Sequence, residues 1–371
     1  MHTQATVQGK SWVLKFLKNP LGLLSFALLT MATALAVFAY VLAPDDSPNA
    51  NNMHLSIAEK PPGFKVLMCV LPNLQAPEVS PWTAFLYGRP KGELEIPVKN
   101  YTLTDQGLTV TLLQAEPDGT ETKFFTLNQL TSAGEKFQLN QIIRSYTFWL
   151  GTDKYGRDLL SRMLIGLRVS LSVGFIAVMI SLIIGISLGA ISGYFGGRTD
   201  QIIMWLINVT WSIPTLLLVI AITLALGKGF WQVFIAVGLT MWVEVARVVR
   251  GQVMSVKQRQ YVLAAIALGY SDGRIIWRHI LPNALTPVII ISAANFASAI
   301  LIESGLSFLG IGAQPPIPSW GSIIKDHYAY IVLGKPYLAL VPGFAIMILV
   351  MAFMLLGNAL RDVLDVKLPS E

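Results

Sequence analysis

The residues that could do chemistry are few and widely spaced. The four histidines, His2, His54, His279 and His327, form no pair at metal-ligand spacing, and Cys69 is the only cysteine. An internal disulfide is therefore impossible, and we expect no metal and no cofactor.

Nucleotide chemistry near the N-terminus is a second possibility. Gly9-Lys10-Ser11 matches the end of a phosphate-binding loop, but Gln4 stands where that loop requires its first glycine. The sequence contains no nucleophile elbow, zinc-protease motif or dinucleotide fingerprint. We expect that this chain has no catalytic residues and neither binds nor hydrolyses ATP.

The elements that must position any functional residue are long and apolar. Hydrophobic residues make up 54% of the chain and charged residues 13%, against roughly 25% charge in a soluble domain. An apolar run of about 18 residues can cross ~30 Å of hydrocarbon. Such runs occupy 21–42, 169–195, 201–226, 230–248, 284–308 and 337–357. We therefore predict an all-α membrane protein with six transmembrane helices.

The first run could instead be the core of a secretory signal peptide, since Val41-Leu42-Ala43 imitates a cleavage site. The run is too long for that, and Pro44 would hinder cleavage. We predict a retained transmembrane helix at 21–42, preceded by an amphipathic leader, 1–20, on the cytoplasmic membrane surface. The apolar face of the leader contains Trp12, Val13, Phe16 and Leu17.

The basic residues indicate orientation in a bilayer rather than binding to nucleic acid, although the net charge is +6. The strongest basic excess lies between the fourth and fifth runs, where two acids, Glu244 and Asp272, stand among six bases. These bases are Arg247, Arg250, Lys257, Arg259, Arg274 and Arg278. This loop and both termini, including the tail 359–371, are expected in the cytoplasm.

Residues 43–150 differ in character from the apolar runs. Leu108, Val110 and Leu112 alternate with threonines, the period of a half-buried strand. Turns are expected at 105–107 and 117–119. We predict a partly β insertion on the extracytoplasmic side, followed by a segment at 151–168 that lies along the outer membrane surface. Arg157 and Arg162 are expected to fix an amphipathic helix there.

The second run contains regularly spaced glycines. Small residues let membrane helices approach closely. The glycines at 185, 189, 193, 196 and 197 therefore predict close packing of this helix against its neighbours.

Residues 261–283, YVLAAIALGYSDGRIIWRHILPN, predict a helical hairpin between two apolar runs. A helix over 255–268 would place Val256, Val262, Ala265 and Ile266 on one face. Gly269 suits the left-handed conformation that ends helices. Ser271 or Asp272 can cap a second helix at 273–280, and Pro282 fits the first turn of the next one. A rigid protrusion of this kind is suited to docking a partner.

The hairpin resembles the coupling loop of ABC-importer permeases, with the pattern Glu-Ala-Ala, three residues, Gly, nine residues, Ile, one residue, Leu-Pro. Ala264, Ala265, Gly269, Leu281 and Pro282 match in register, whereas Leu263 replaces the glutamate and His279 replaces the isoleucine. The ATPase-docking residues that the resemblance implies are Ala264, Ala265, Leu268, Gly269, Asp272, Arg274, Leu281 and Pro282.

Other segments are similar to one branch of that family, the dipeptide, oligopeptide and nickel importers, and to its second (C-type) permease subunit. These segments are FLKNPL (16–21), LGTDKYGRDLLSRMLIGLRVSL (150–171), ARVVRGQ (246–252), RHILPN (278–283) and ESGLSFLGIGAQPPIPSWG (303–321). The insertion looks longer than is usual in this branch.

The resemblance implies an ABC type I importer permease fold in the bacterial inner membrane. Its permease core would be 169–358, with five transmembrane helices and a cytoplasmic coupling loop at 249–282. The chain would form half of the path for di- or oligopeptides and couple it, through 255–282, to a separate ATPase. The implied partners are a second permease, two ATPase subunits and an extracytoplasmic solute-binding protein.

Glu303, Gln314 and Trp320 are candidates for the pathway or its gate. Glu303 is the only ionisable residue in 284–308, and a charge buried in a membrane is costly. It would either face the path and sense an amine or a cation, or hydrogen-bond its own loop at the outer boundary. Trp320 would either contribute to a gate or anchor a turn at the membrane interface.

A different functional class is an autonomous carrier or channel, with Glu303 or Glu244 handling protons or cations. The docking hairpin and the lack of an evident inverted repeat favour the importer subunit. Transport without nucleotide by this chain alone would favour the carrier.

The predicted orientation can be tested with thiol probes in a Cys69→Ser background. Cysteines placed at Asn100 or Asn128 should react with an impermeant reagent added to intact cells, because both lie in the insertion. Labelling that requires disruption of the inner membrane would reverse the orientation.

Overall fold

A computed structural model describes residues 13–72, 79–90, 93–113, 121–130, 138–227 and 229–364. The partial phosphate-binding motif at 9–11, Trp12 and the predicted turn at 117–119 lie outside these residues. The helices are α1 (Pro20–Val37), α2 (Ala39–Leu42), α3 (Pro81–Tyr87), α4 (Leu127–Leu130), α5 (Leu139–Ile142), α6 (Leu159–Phe195), α7 (Gly197–Trp211), α8 (Thr215–Leu226), α9 (Phe230–Lys257), α10 (Gln260–Ala267), α11 (Asp272–Ile275), α12 (Leu281–Ala284), α13 (Thr286–Phe308), α14 (Trp320–His327) and α15 (Tyr337–Leu364). The strands are β1 (Phe64–Pro72), β2 (Glu93–Thr104), β3 (Gly107–Leu112), β4 (Thr122–Thr126) and β5 (Ile143–Phe148).

Within the described residues, five helices are long and apolar enough to cross a membrane, namely α1, α6, α9, α13 and α15. The predicted span at 201–226 is not a single helix. It is divided into α7 and α8, which meet at an angle of 93°. Pro214 explains the break, because proline has no amide hydrogen and disfavours helical geometry in the residue before it. The described part of the chain therefore contains five candidate spans, or six if the bent pair counts as one.

The chain divides into two compact units. The first contains Met1–Thr33, Ser170–Gln314 and Gly343–Glu371, and the second contains Ala34–Val169 and Pro315–Pro342.

In the first unit, three glycines of α6 let its backbone lie directly on α9. A Cβ atom at Gly185 would come within 2.5 Å of Val245, and one at Gly189 within 2.5 Å of the Ala246 carbonyl oxygen. A Cβ atom at Gly193 would come within 2.7 Å of the Arg250 carbonyl oxygen. Close packing through these three glycines is confirmed.

Two further glycines, Gly196 and Gly197, were expected to take part in the same packing, and that expectation is wrong. Their φ angles are 66° and 53°, and no atom lies within 4 Å of a Cβ built on either. They instead provide the left-handed turn that separates α6 from α7, a conformation that glycine adopts at little cost.

In the second unit, the segment between α1 and α6 contains a five-stranded antiparallel sheet in the order β4-β3-β2-β1-β5. Leu108 and Val110 of β3 are buried, as their alternation predicts, and β2 joins β3 through a tight turn at 105–106. β1 is apolar on both faces, because Met68 packs in one cluster and Cys69 in another. The side of the membrane on which this sheet lies stays a prediction.

The segment at 151–168 does not form a separate surface helix. α6 begins at Leu159 and continues to Phe195, a length of about 55 Å at 1.5 Å per residue. Arg157 and Arg162 are 4% and 3% exposed, so they do not form a solvated face. Their Nε atoms lie 2.6 and 3.7 Å from Oδ2 of buried Asp153, so a single carboxylate lies against both guanidinium groups.

The carboxylate of Glu59 connects two distant parts of the second unit. Tyr330 donates a hydrogen bond of 2.8 Å to Glu59 Oε1, and Lys335 Nζ donates one of 2.5 Å to Oε2. The bond from Lys335, together with that from Tyr330, lowers the pKa of Glu59, whereas partial burial opposes this effect. The segment before α15 is thereby tied to the residues that precede β1.

The contact between α6 and α9 predicts a steep cost for one added methyl group. Gly189→Ala should destabilise the protein by about 1–3 kcal/mol, because the opposing atoms are backbone and a β-branched side chain. The measurement is thermal unfolding of the purified protein in detergent.

Gly251→Ala on α9 is the matched control, since a Cβ at this position would meet no atom within 4 Å. It should be neutral or slightly stabilising, because alanine favours helices. Equal melting temperatures for the two variants would contradict the close packing.

Candidate functional site

The predicted hairpin begins with a break that the sequence did not indicate. α9 ends at Lys257 and α10 begins at Gln260, with Arg259 in an extended conformation between them. Residues six apart in a straight helix lie about 120° apart around its axis. The break lets Val256 and Val262 both enter the core, where they are 8% and 0% exposed. The prediction of one continuous helix over 255–268 is wrong.

The turn of the hairpin is built as Gly269 predicts. Its φ angle is 75°, and its N–H donates to the Ile266 carbonyl at 3.0 Å. The Tyr270 N–H donates to the Ala265 carbonyl at 3.2 Å. These two bonds form a Schellman motif, which stops a helix and fixes the exit of the chain.

The second arm is longer and less regular than expected. α11 begins at Asp272 and continues through a π-helical turn, Ile276–Ile280, into α12, which has Pro282 in its first turn. Neither candidate cap bonds the helix end as predicted. Ser271 occupies the N-cap position without a side-chain hydrogen bond, and the Asp272 carboxylate accepts one of 2.6 Å from the Tyr194 hydroxyl.

Two polar contacts fasten the hairpin to the end of α6, and an ion pair joins two neighbouring helices. Tyr194 of α6 binds Asp272, and Lys257 Nζ donates to the Tyr194 carbonyl at 2.5 Å. Arg250 of α9 makes two bonds of 2.6 Å to Asp200 of α7. The hairpin therefore rests on α6, and α6, α7 and α9 are fixed to one another beside it.

The sequence interpretation missed Asp200 and Tyr194. A signal for Asp200 was available, because it is the only acidic residue between Asp158 and Glu244. A lone acid among apolar helices requires a cation, and Arg250 is one of the bases in the loop that follows. No comparable signal distinguishes Tyr194.

The predicted docking residues divide into two groups. Ala265 and Leu281 are each 4% exposed and belong to a core cluster with Val262 and Ile280, so they do not contribute to the surface. The exposed members are Ala264, Leu268, Gly269, Asp272, Arg274 and Pro282.

The hairpin surface is rich in large apolar side chains. Leu268 is 72% exposed and Trp277 is 73% exposed. Leu263, Ile266 and Tyr270 are also exposed. The Arg274 guanidinium lies 5.0 Å from the centre of the Tyr270 ring, so the patch combines apolar area with fixed charge.

Glu303 and Gln314 meet at one loop of the first unit. Glu303 is buried, and the Ser307 hydroxyl donates to its Oε1 at 2.7 Å. The same hydroxyl accepts from the Ala313 N–H at 3.1 Å. Gln314 Nε2 donates to the carbonyls of Gly310 and Gly312 at 3.2 and 2.9 Å. These bonds fit the hypothesis that Glu303 supports its own loop, and a role in the pathway stays a prediction.

Trp320 belongs to the second unit and is not an exposed anchor. It is 5% exposed, and its indole N–H donates to the Met163 carbonyl at 3.0 Å. A Cβ at Gly166 would lie 2.9 Å from its ring, so the absence of a side chain there makes room for the indole.

The part of the chain that carries this hairpin matches a known family. Residues 185–368 match the family described as "Binding-protein-dependent transport system inner membrane component". The chain is 42% identical to the dipeptide transport system permease protein DppC of Alkalihalophilus pseudofirmus over 60% of this chain and 73% of that protein. It is 40% identical to the glutathione transport system permease protein GsiD of Pectobacterium atrosepticum over 61% and 75% of the two chains.

A solved structure of the MetNI methionine ABC transporter in an inward-facing conformation is 18% identical, with a TM-score of 0.44, and covers 54% of this chain and 96% of that chain.

The family match and the two permease relatives define a multi-pass inner-membrane protein of a transport system. The chain belongs to the family of binding-protein-dependent transport system inner membrane components, as a permease resembling the second (C-type) subunit. It is a permease subunit of an ATP-driven importer, and such permeases are not themselves catalytic. The alternative of an autonomous carrier is not supported.

The bond between Tyr194 and Asp272 should stabilise the hairpin. Removing it by Tyr194→Phe should cost about 1.5–3 kcal/mol, because the acceptor is charged. Amide hydrogen exchange in α10 and α11 should then become roughly ten- to a hundredfold faster.

Tyr261→Phe is the matched control, since this exposed tyrosine of the same hairpin should leave the exchange unchanged. Asp272→Asn combined with Tyr194→Phe should cost little more than the larger single effect. Additive costs would show that the two side chains do not interact.

Proposed function

We propose that this permease forms half of a path for short peptides and that residues 255–282 couple the path to a separate ATPase. The observation that carries the coupling proposal is the hairpin, a rigid protrusion with a large exposed apolar surface. The peptide cargo is supported by the relatives, which are named for dipeptides and for glutathione, itself a tripeptide.

The hairpin can transmit force because both its arms are fixed. Val262 and Ile275 are fully buried, one from each arm, and the Schellman turn joins them. Displacement at Leu268 would therefore move the arms together, and through Lys257 and Tyr194 it would move the end of α6. A loose loop would absorb the same displacement.

The docking contact is proposed to be mainly apolar. Contiguous exposed apolar patches on a water-facing element mark protein interfaces. Leu263, which stands at the family's glutamate position, is 52% exposed. An apolar contact would therefore replace a salt bridge at this position, with Asp272 and Arg274 supplying charge at its edge.

The expected assembly contains a second, similar permease, two ATPase subunits and an extracytoplasmic solute-binding protein. Both termini and the hairpin would be cytoplasmic, and the insertion at 43–150 would lie outside. The basic excess around the hairpin supports this orientation. Reconstituted with its partners, the importer should take up a labelled dipeptide with ATP, and uptake without nucleotide would contradict the proposal.

Gly269→Val tests the coupling hairpin. A β-branched residue at a φ of 75° costs about 1–3 kcal/mol and adds bulk at the proposed contact. The variant should insert and pair with the second permease but should lose its ATPase subunits or the stimulation of hydrolysis by loaded binding protein.

Gly334→Val is the control, because Gly334 has a φ of 79°, is equally open and lies outside the hairpin. It should carry a similar backbone cost and retain the ATPase subunits. Normal ATPase recovery and stimulation in Gly269→Val would contradict the coupling role.

A further inference from the structure

The sheet of the second unit contains a fork between β1 and β2. β2 pairs with β1 only over 93–98, and it pairs with β3 from Val98 onward, with a bulge at Lys99. The first three residues of β1, 64–66, pair with β5 but not with β2. Among the described residues, one edge of β1 therefore lacks a strand partner at 64–66.

The fork encloses an open groove of about 310 Å³. This volume is at the lower end of the range for ligand sites, about 300–1,000 Å³. The floor is apolar and the rim carries three lysines. The lining residues are Lys60, Phe64, Lys65, Val66, Leu67, Val98, Lys99 and Leu113.

The three rim lysines differ from most of the other lysines that the structure describes in this unit. Each of Lys123, Lys154 and Lys335 lies within 4 Å of a carboxylate. No such pair involves a rim lysine within the described part of the chain, and Lys60 Nζ lies 5.7 Å from the centre of the Phe64 ring. Three like charges are thus held around an apolar floor, where an anionic group would relieve their repulsion.

We propose that this groove binds a short, extended, acidic segment of a partner protein by strand addition to β1. The free edge is about 10 Å of strand, along which alternate residues direct their backbone N–H and C=O groups away from β5. Carboxylates of the segment would lie on the Lys65 face of the strand, and the alternate apolar side chains would lie on the opposite face, beside Phe64 and Val66. An anionic lipid headgroup would satisfy the lysines but would leave the strand edge unused, so the geometry favours a polypeptide.

The bulge explains how the groove arises. An extra residue in one strand bends that strand and ends its regular pairing. Here the extra residue is itself a lysine, so the feature that separates β2 from β1 also places a cation at the opening. Exposed strand edges are ordinarily protected by charge against self-association, and these lysines also select against a basic partner.

The test uses the full chain in phosphatidylcholine nanodiscs and a fluorescent octapeptide of alternating glutamate and valine as the probe. Fluorescence anisotropy should show binding that weakens with added salt. The triple variant Lys60→Gln, Lys65→Gln, Lys99→Gln should weaken it roughly tenfold or more. Lys123→Gln, in the same sheet and outside the groove, should bind as the unaltered protein does.

Two altered probes separate the parts of the proposal. N-methylation of alternate residues should abolish binding by blocking backbone pairing, and glutamine in place of glutamate should weaken it as the triple variant does. The proposal would be overturned if either altered probe bound as tightly as the original probe. It would also be overturned if the triple variant bound the original probe as tightly as the unaltered protein does.

Phosphatidylglycerol nanodiscs test the competing occupant. If the lipid abolishes probe binding both to the unaltered protein and to Lys123→Gln, whose groove is intact, the proposal would be overturned in favour of a lipid site. The inference does not depend on the proposed function, because peptide binding at this sheet and ATP-driven uptake are measured separately.

Discussion

The contact between α6 and α9 is the constraint on which the rest of the first unit depends. At Gly185, Gly189 and Gly193, the opposing atoms leave no room for a Cβ. In a bilayer, where apolar surfaces gain little by avoiding lipid, such backbone proximity is a main source of helix association. Once α6 and α9 are fixed side by side, their ends hold Tyr194 and Lys257 in register. The hairpin then has a defined support.

The polar contacts beside the hairpin follow from that packing. Asp200 would be costly among apolar helices without a cation, and Arg250 reaches it only because α9 lies against α6 and α7. The bidentate pair satisfies both charges and fixes α7 to α9. Hydrogen bonds and helix packing thus connect the hairpin to the ends of the long helices.

Hydropathy predicts the long helices well because burial in lipid demands only length and apolarity. It fails at Pro214, since an average over 201–226 does not register one residue that breaks the helix. It fails differently at Arg157 and Arg162, where charge predicted a surface. Asp153 contacts both arginines, which lie four and nine positions after it, and the second of these pairings requires the folded turn before α6.

The coupling motif illustrates why a spacing pattern predicts a site better than it predicts the roles within it. Gly269 could be assigned from its type, because the left-handed turn is a local requirement. Ala265 and Leu281 match the same pattern, yet they are buried, so their types are explained by packing between the two arms. Leu268 and Trp277 are exposed although both are as apolar as core residues. A side chain's orientation depends on the break at Arg259 and on the π-helical turn, and neither has a sequence signature. Substitutions at Ala265 would therefore act on the rigidity of the hairpin, whereas those at Leu268 would act on whatever the hairpin binds.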